Sequence, residues 1–294
     1  LSLPRGLRIQ TLHSFAESLL QGFPLEAGVF PAFDVMDEAQ SKALFDEAIK
    51  TLLIDNLTKN AKNKTHKHAT QRHLAPLIKH LATYFSEDSL KACLEELLSM
   101  RTSFYLAHLG GQSALNALQK ALNLSGTEAT KQSARFTKDA IESLHASLPK
   151  DILQTLSNFF DEKASSTNTA IQKKKWINDF CTSPSVGTFK NFSHIFLTNK
   201  GTKRKTVFVK DTLTKAQKDI PNILDLVTAW GNSVFACTQR MQTHAMFESS
   251  KALQIVSQQV LATYEKRKKD KNLLDYDDLL QKSCDLLKND EGWV

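Results

Sequence analysis

Glycine and proline are scarce in these 294 residues, ten and seven respectively, about 6% together and half the usual share. Tight turns need them, so the shortage argues against an all-β sandwich or barrel. No apolar run approaches the roughly 18 residues of a membrane span. Leu1-Ser2-Leu3-Pro4-Arg5-Gly6 lacks the apolar stretch after a basic start that marks a secretory signal. The four cysteines, at 93, 181, 237 and 284, show no CxxC spacing. That speaks against a zinc pattern or a disulfide framework and suits a reducing cytoplasm. None of the ten glycines is followed by lysine, and no GxGxxG occurs. The two standard loops that cradle nucleotide phosphates are therefore missing.

What is present is an ordinary globular composition, 41% apolar and 23% charged. The length suits one or two domains of roughly 150 residues. Lys and Arg number 38 against 31 Asp and Glu, a net charge of +7. Such an excess suits a polyanion partner, although by itself it speaks only to solubility. The chain begins at Leu rather than Met, which suggests a piece of something longer.

Periodicity predicts mostly helices. Residues 7–11 alternate and read as a short strand, after which Thr11 or Ser14 caps a helix through Leu20 with Phe15, Leu19 and Leu20 on one face. A helix is expected from 38 to 57, with Ala39, Leu44, Ala48, Leu52 and Leu53 at 3.6-residue spacing. A polar loop near 59–70 and a helix to about Tyr84 follow, then helices near 88–109, 112–123, 127–146 and 149–162. Residues 194–198 and 206–210 are rich in β-formers and flank Asn199-Lys200-Gly201, so a β-hairpin with a basic tip is predicted. A long helix should span 220–269, with room for a break near 245–250, and a last one 274–288. The fold class is mainly α, a multi-helix domain with one small β-hairpin.

Several residue groups invite chemistry. Asn56 to Ser86 holds no acid but carries His66, His68, His73 and His80 among lysines. No Asp, Glu or Cys nearby completes a metal site, so phosphate contact or a solvated surface competes with a metal reading. Thr11-Leu12-His13 at a strand-to-helix junction offers free amides and a hydroxyl for a phosphate; a capped helix explains it equally well. Asp275, Asp277 and Asp278 can cap a helix or serve as an acid–base pair. Lys200, Lys203, Arg204 and Lys205 crowd the hairpin, and Lys266, Arg267, Lys268, Lys269 and Lys271 crowd a helix end. Such clusters bind phosphates without reading sequence, or simply face water.

The two ends of the chain together resemble a known family. Ile9-Gln10-Thr11-Leu12-His13-Ser14-Phe15-Ala16, then Phe23-Pro24-Leu25-Glu26-Ala27-Gly28 and Val35-Met36-Asp37-Glu38, resembles the segment after the first DNA-contact motifs of AddA-type helicase–nucleases. Residues 196–205 look like that family's basic hairpin. Leu273-Leu274-Asp275-Tyr276-Asp277-Asp278-Leu279-Leu280 looks like the signature shortly before the Walker B strand. Asp37-Glu38-Ala39-Gln40 matches the magnesium-holding tetrapeptide of UvrD-type helicases. The preceding Pro31–Met36 is too short and polar for a buried parallel strand, so this reads as a helix start.

The resemblance implies an internal piece of a UvrD-like superfamily 1 DNA helicase, with incomplete RecA-like motor elements at both ends. Residues 1–36 would belong to motor domain 1A, 37–270 to the inserted helical domain 1B with its hairpin near 194–210, and 271–294 to a helix returning to 1A. It implies DNA contacts from Thr11, His13, Lys200, Lys203, Arg204, Lys205, Lys266, Arg267, Lys268 and Lys269. Phe15 would pack against the motor domain, and Asp275, Tyr276, Asp277 and Asp278 would be structural. No catalytic or metal residue and no cofactor is expected in this chain. The parent would use ATP and magnesium for 3′–5′ translocation, carry a nuclease, pair with an AddB-like subunit and work in the cytoplasm, with no membrane partner. A helical module that docks a partner subunit is the alternative, and a metal enzyme built on the His-rich segment a third.

Overall fold

A computed structural model describes residues 10–58, 69–101, 112–158, 168–208 and 216–288. In chain order the elements are α1 (Leu12–Gly22), β1 (Asp34–Val35), α2 (Glu38–Thr58), α3 (Ala69–Leu81), α4 (Glu87–Ser99), α5 (Gln112–Ala121), α6 (Gly126–Ala129), α7 (Ser133–Ser147), α8 (Lys150–Asn158), α9 (Asn168–Thr182), α10 (Val186–Phe196), α11 (Ile223–Asp270), β2 (Leu273–Leu274) and α12 (Tyr276–Lys288). The mainly helical class is as the periodicity predicts. Two compact units result: residues 1–114 with 249–294, and residues 115–248. The expected division at 36 and 270 follows motif boundaries, whereas compactness cuts the chain elsewhere.

The first unit has two apolar clusters. In the larger, α2 contributes Leu44, Phe45, Ala48, Ile49 and Leu52, α3 Leu74, Ile78 and Leu81, and α4 Leu90 and Leu94. They meet Val256, Val260, Leu261 and Tyr264 of α11. The Phe45 and Tyr264 rings cross edge to face at 5.5 Å. The smaller cluster joins Ala16, Leu20 and Phe33 to Leu279 and Leu286 of α12. Beside it β1 pairs with β2 in parallel, Asp34 opposite Leu273 and Val35 opposite Leu274. Asn272 makes that pairing reachable: at φ +54° it turns the chain out of α11 in a conformation that Asn tolerates. Asp37 and Gln40 cap α2 reciprocally, side chain to amide in both directions.

The second unit is built on aromatics. Phe180 of α9 stacks on Phe192 of α10 at 4.5 Å, and Phe196 continues from Phe192 at 5.3 Å. Ile141, Leu144, Leu148, Leu153, Ile177, Val227, Trp230 and Val234 close around them. Each such side chain contributes about 1.5–3 kcal/mol when fully buried.

Several expectations need correction. The predicted hairpin is instead a helix end followed by a tight turn with one antiparallel bridge, Leu197 to Lys203. Ser185 and Thr188 form a capping box, and Phe189, Phe192, Ile195 and Phe196 fall on one buried helical face. Burial of that face overrides the β-propensity of 194–196. Gly201 at φ +75° supplies the turn as expected; Val209 and Lys210 lie outside the described residues. The single helix expected over 127–146 is split, because Ser125 and Glu128 cap the one-turn α6 and Gln132 starts α7 afresh in extended geometry. The segment before Asp37 is no buried strand, as expected, but its exposed Asp34 and half-buried Val35 pair in parallel with β2. Two residues suffice since pairing uses backbone groups, and Asp34 keeps its side chain in solvent. Phe15 is exposed; Ala16 and Leu20 form the buried face of α1. Helix α11 runs unbroken through 245–250. Of the predicted first strand, residues 7–9 lie outside the described residues, as do His66 and His68.

Candidate nucleic-acid interface

The first and last motifs of the chain meet in the first unit. Thr11 is the N-cap of α1, its hydroxyl accepting from the Ser14 amide at 3.2 Å. Two residues on, the His13 ring lies 4.9 Å from the ring of Tyr276, tilted by 53°. The pair borders a cleft of about 560 Å³, whose walls include Ser14, Glu17, Asp37 and Gln40. Tyr276 also lines a second cleft of about 460 Å³, shared with Ser41, Lys42, Arg101 and Asp277. Sequence separation had kept Thr11 and His13 apart from the acidic signature; packing of α1 on α12 joins them.

Tyr276 is held from below by a buried ionic hub. Asp275, the residue before α12, exchanges hydrogen bonds with Asp278: its carboxylate accepts from the Asp278 amide, and the Asp278 carboxylate accepts from its own. The Arg101 guanidinium donates to both Asp275 carboxylate oxygens. Tyr264 donates its hydroxyl at 2.8 Å, and the Lys268 ammonium reaches Asp275 at 3.1 Å and Asp278 at 2.6 Å. Arg101, Lys268 and Asp275 are only 4%, 2% and 6% exposed. Burial alone would raise the Asp275 pKa. The Arg101 hydrogen bonds and the Lys268 and Arg101 charges outweigh it and hold the carboxyl well below the usual range. Burial, the Asp275 charge and the hydrogen bond to it push the Tyr264 hydroxyl far up. Glu265 is raised, mainly by burial and against the pull of Lys268.

The basic clusters are thereby sorted. Lys268 does not face solvent: it follows Val260 and Tyr264 at four-residue steps, so the buried stripe of α11 carries it inward. Its ammonium is satisfied by Glu265, Asp275 and Asp278, which removes it from the expected phosphate contacts. Arg267 lies across α2, paired with Glu47 and donating to Thr51 at 2.7 Å. Lys266 and Lys269 are exposed. In the second unit Lys200 and Lys205 are exposed, Lys203 donates to Asn232 at 2.6 Å, and Arg204 Nε donates to the carbonyls of His194 and Leu197. Arg101 belongs to no motif read from the sequence, although it stands seven residues, two helical turns, after the buried Leu94 of α4, where an apolar residue would be expected. Among the described residues no three His, Cys, Asp or Glu side chains come together as a metal site.

Thr11, His13 and the acidic signature thus share one site although they come from opposite ends of the sequence. The model of the UvrD/REP helicase N-terminal domain matches residues 3–294, and the chain belongs to that family. No curated protein matches it. Among the described residues no helix is long and apolar enough to cross a membrane.

Proposed function

We propose that the chain is the DNA-contacting 1B region, with flanking 1A elements, of an AddA-type ATP-dependent helicase–nuclease that resects double-strand breaks for recombination. The observation that carries this reading is the cleft in which Thr11 and His13 face Tyr276. Amides at the start of α1 suit a phosphate, and the two rings suit an unpaired base. ATP and magnesium would act in the parent protein, since the sequence here holds neither phosphate loop. An AddB-like subunit and a cytoplasmic setting belong to the same reading.

The test is fluorescence anisotropy with a labelled oligothymidine at two salt concentrations. Binding should weaken with salt, by about 0.7 in log–log slope per phosphate on a single strand. The double variant His13→Ala/Tyr276→Ala should lose about tenfold in affinity, the scale of one stacked base. Absence of binding at low salt would sink the proposal for this chain.

A second reading, docking to another protein surface, is favoured by exposed apolar side chains along α1 and its connection: Leu12, Phe15, Leu25 at 81% and Phe30 at 55%. Leu25→Ser with Phe30→Ser should abolish any partner capture while leaving DNA affinity intact, which pull-down and anisotropy together report.

A further inference from the structure

We propose that α9, α10 and the turn after α10 form a second strand-contacting face, in which Trp176 and His194 offer ring surface to unpaired bases while Lys173, Lys190 and Arg204 hold the phosphates of the same strand. This rests on the DNA reading above and extends it to four residues that no motif marks: Lys173, Trp176, Lys190 and His194.

The first argument is a pair of tethered cations in a basic segment. Residues 168–208 carry eight Lys and Arg against a single acid, Asp179. The Arg204 Nε donates to the carbonyl oxygens of His194 at 3.0 Å and Leu197 at 2.9 Å. Those bonds fix the guanidinium at the end of α10, and no described residue accepts from its two terminal nitrogens. Lys173 Nζ is fixed too, donating to the Val207 carbonyl at 2.7 Å and lying 5.6 Å from the Phe208 ring centre. Burial, then the neighbouring Arg204 charge, lowers the Lys173 pKa. No described carboxylate forms an ion pair with either. Two cations tethered side by side to backbone carbonyls are a mutually repelling pair that an anion relieves.

The second argument is the placement of the rings. Trp176 and His194 lie 6.3 Å apart at 43°, both partly exposed. Trp176 sits one turn after Lys173 on α9, and His194 one turn after the exposed Lys190 on α10. Cations and ring faces therefore alternate over one surface. That is the combination by which single strands are held without sequence preference: phosphates on the cations, bases on the π-faces. Bases paired in a duplex have no free face to offer, so the rings favour a single strand.

The experiment is photocrosslinking of the 294-residue chain to a bromodeoxyuridine-substituted single-stranded oligonucleotide, with crosslinked peptides mapped by mass spectrometry. Crosslinks at Trp176 or His194 are expected, displaced by unlabelled single strand and much less by duplex. Lys190→Glu with His194→Ala should lower affinity about tenfold and erase those crosslinks, with the circular-dichroism melt unchanged. Crosslinks confined to Thr11–Phe15 and Tyr276 would overturn this face while leaving the cleft reading intact. Duplex that competes as well as single strand would overturn the stacking role of the rings. A chain that binds no DNA at low salt would remove both readings.

Discussion

The two units solve the same problem with opposite chemistry. The first fastens the ends of α11 and α12 with a buried hub of Arg101, Lys268, Asp275 and Asp278. The second relies on phenylalanine rings, Phe180, Phe192 and Phe196, packed among aliphatic side chains. Rings tolerate small slips, because stacking and burial change gradually with distance. An ion hub does not, since each donor must meet its acceptor or remain a buried, unpaired charge. The contrast fits the tasks proposed: the hub fixes the residue that precedes Tyr276, whose ring must face His13.

The largest expected effects are equal in size and opposite in place. Asp275→Ala leaves two buried cations short of a partner and should cost about 3–5 kcal/mol. Phe192→Ala should cost about 3–5 kcal/mol through the cavity it opens. Hydrogen exchange read peptide by peptide should show opening confined to 1–114 and 249–294 for the first variant, and to 115–248 for the second. Uniform opening in both would erase the comparison.

Acid should separate the units next. The folded Asp275 carboxyl titrates below its unfolded value of about 3.9, so its contribution is complete above that pH and is lost as pH falls through the folded value. Glu265 is shifted the other way and offsets part of this, gaining stability as pH falls. The net expectation is protection lost first from the hub-bearing peptides below about pH 4. An aromatic unit that opens earlier in acid would contradict it.

A middle-sized effect sharpens the sorting of the lysines. Lys268→Met should cost about 1–3 kcal/mol, as lost hydrogen bonds to charged groups do, with the salt slope of DNA binding unchanged. Lys266→Ala with Lys269→Ala should do the reverse, flattening the slope at constant urea midpoint. The smallest effect is expected for Arg267→Ala, under about 1 kcal/mol, because its partner Glu47 is exposed.

Much of this is legible in the sequence. Spacing located α2 and α12, and the acids placed Asp275 as a cap. The Asn199–Gly201 turn was visible for the same reason, since few residues accept its backbone. Misreadings came where two local signals competed. His194-Ile195-Phe196 has strand propensity, yet Ser185-x-x-Thr188 and the spacing of Phe189, Phe192 and Phe196 were there to announce a helix. Lys268 groups in sequence with its basic neighbours, although counting by fours from Val260 through Tyr264 lands on it. Arg101 carries a similar cue, seven residues or two helical turns after Leu94 of α4. A cation that interrupts an apolar stripe implies a buried acid elsewhere, and Asp275 was that acid. The meeting of Thr11 with Tyr276 had no local signal, because it depends on contacts between the two ends of the chain.

That last arrangement bears on how the polypeptide matures. Ser283 donates to the carbonyl of Ala16 from 267 positions away, and β1 awaits β2 over nearly as long an interval. On a ribosome adding about 5–20 residues each second, the interior unit leaves the exit tunnel whole and free to settle. Helix α1 must wait, its buried face uncovered, until α12 emerges. Nascent chains halted before residue 273 should therefore recruit chaperones to α1, and emergence of α12 should dismiss them.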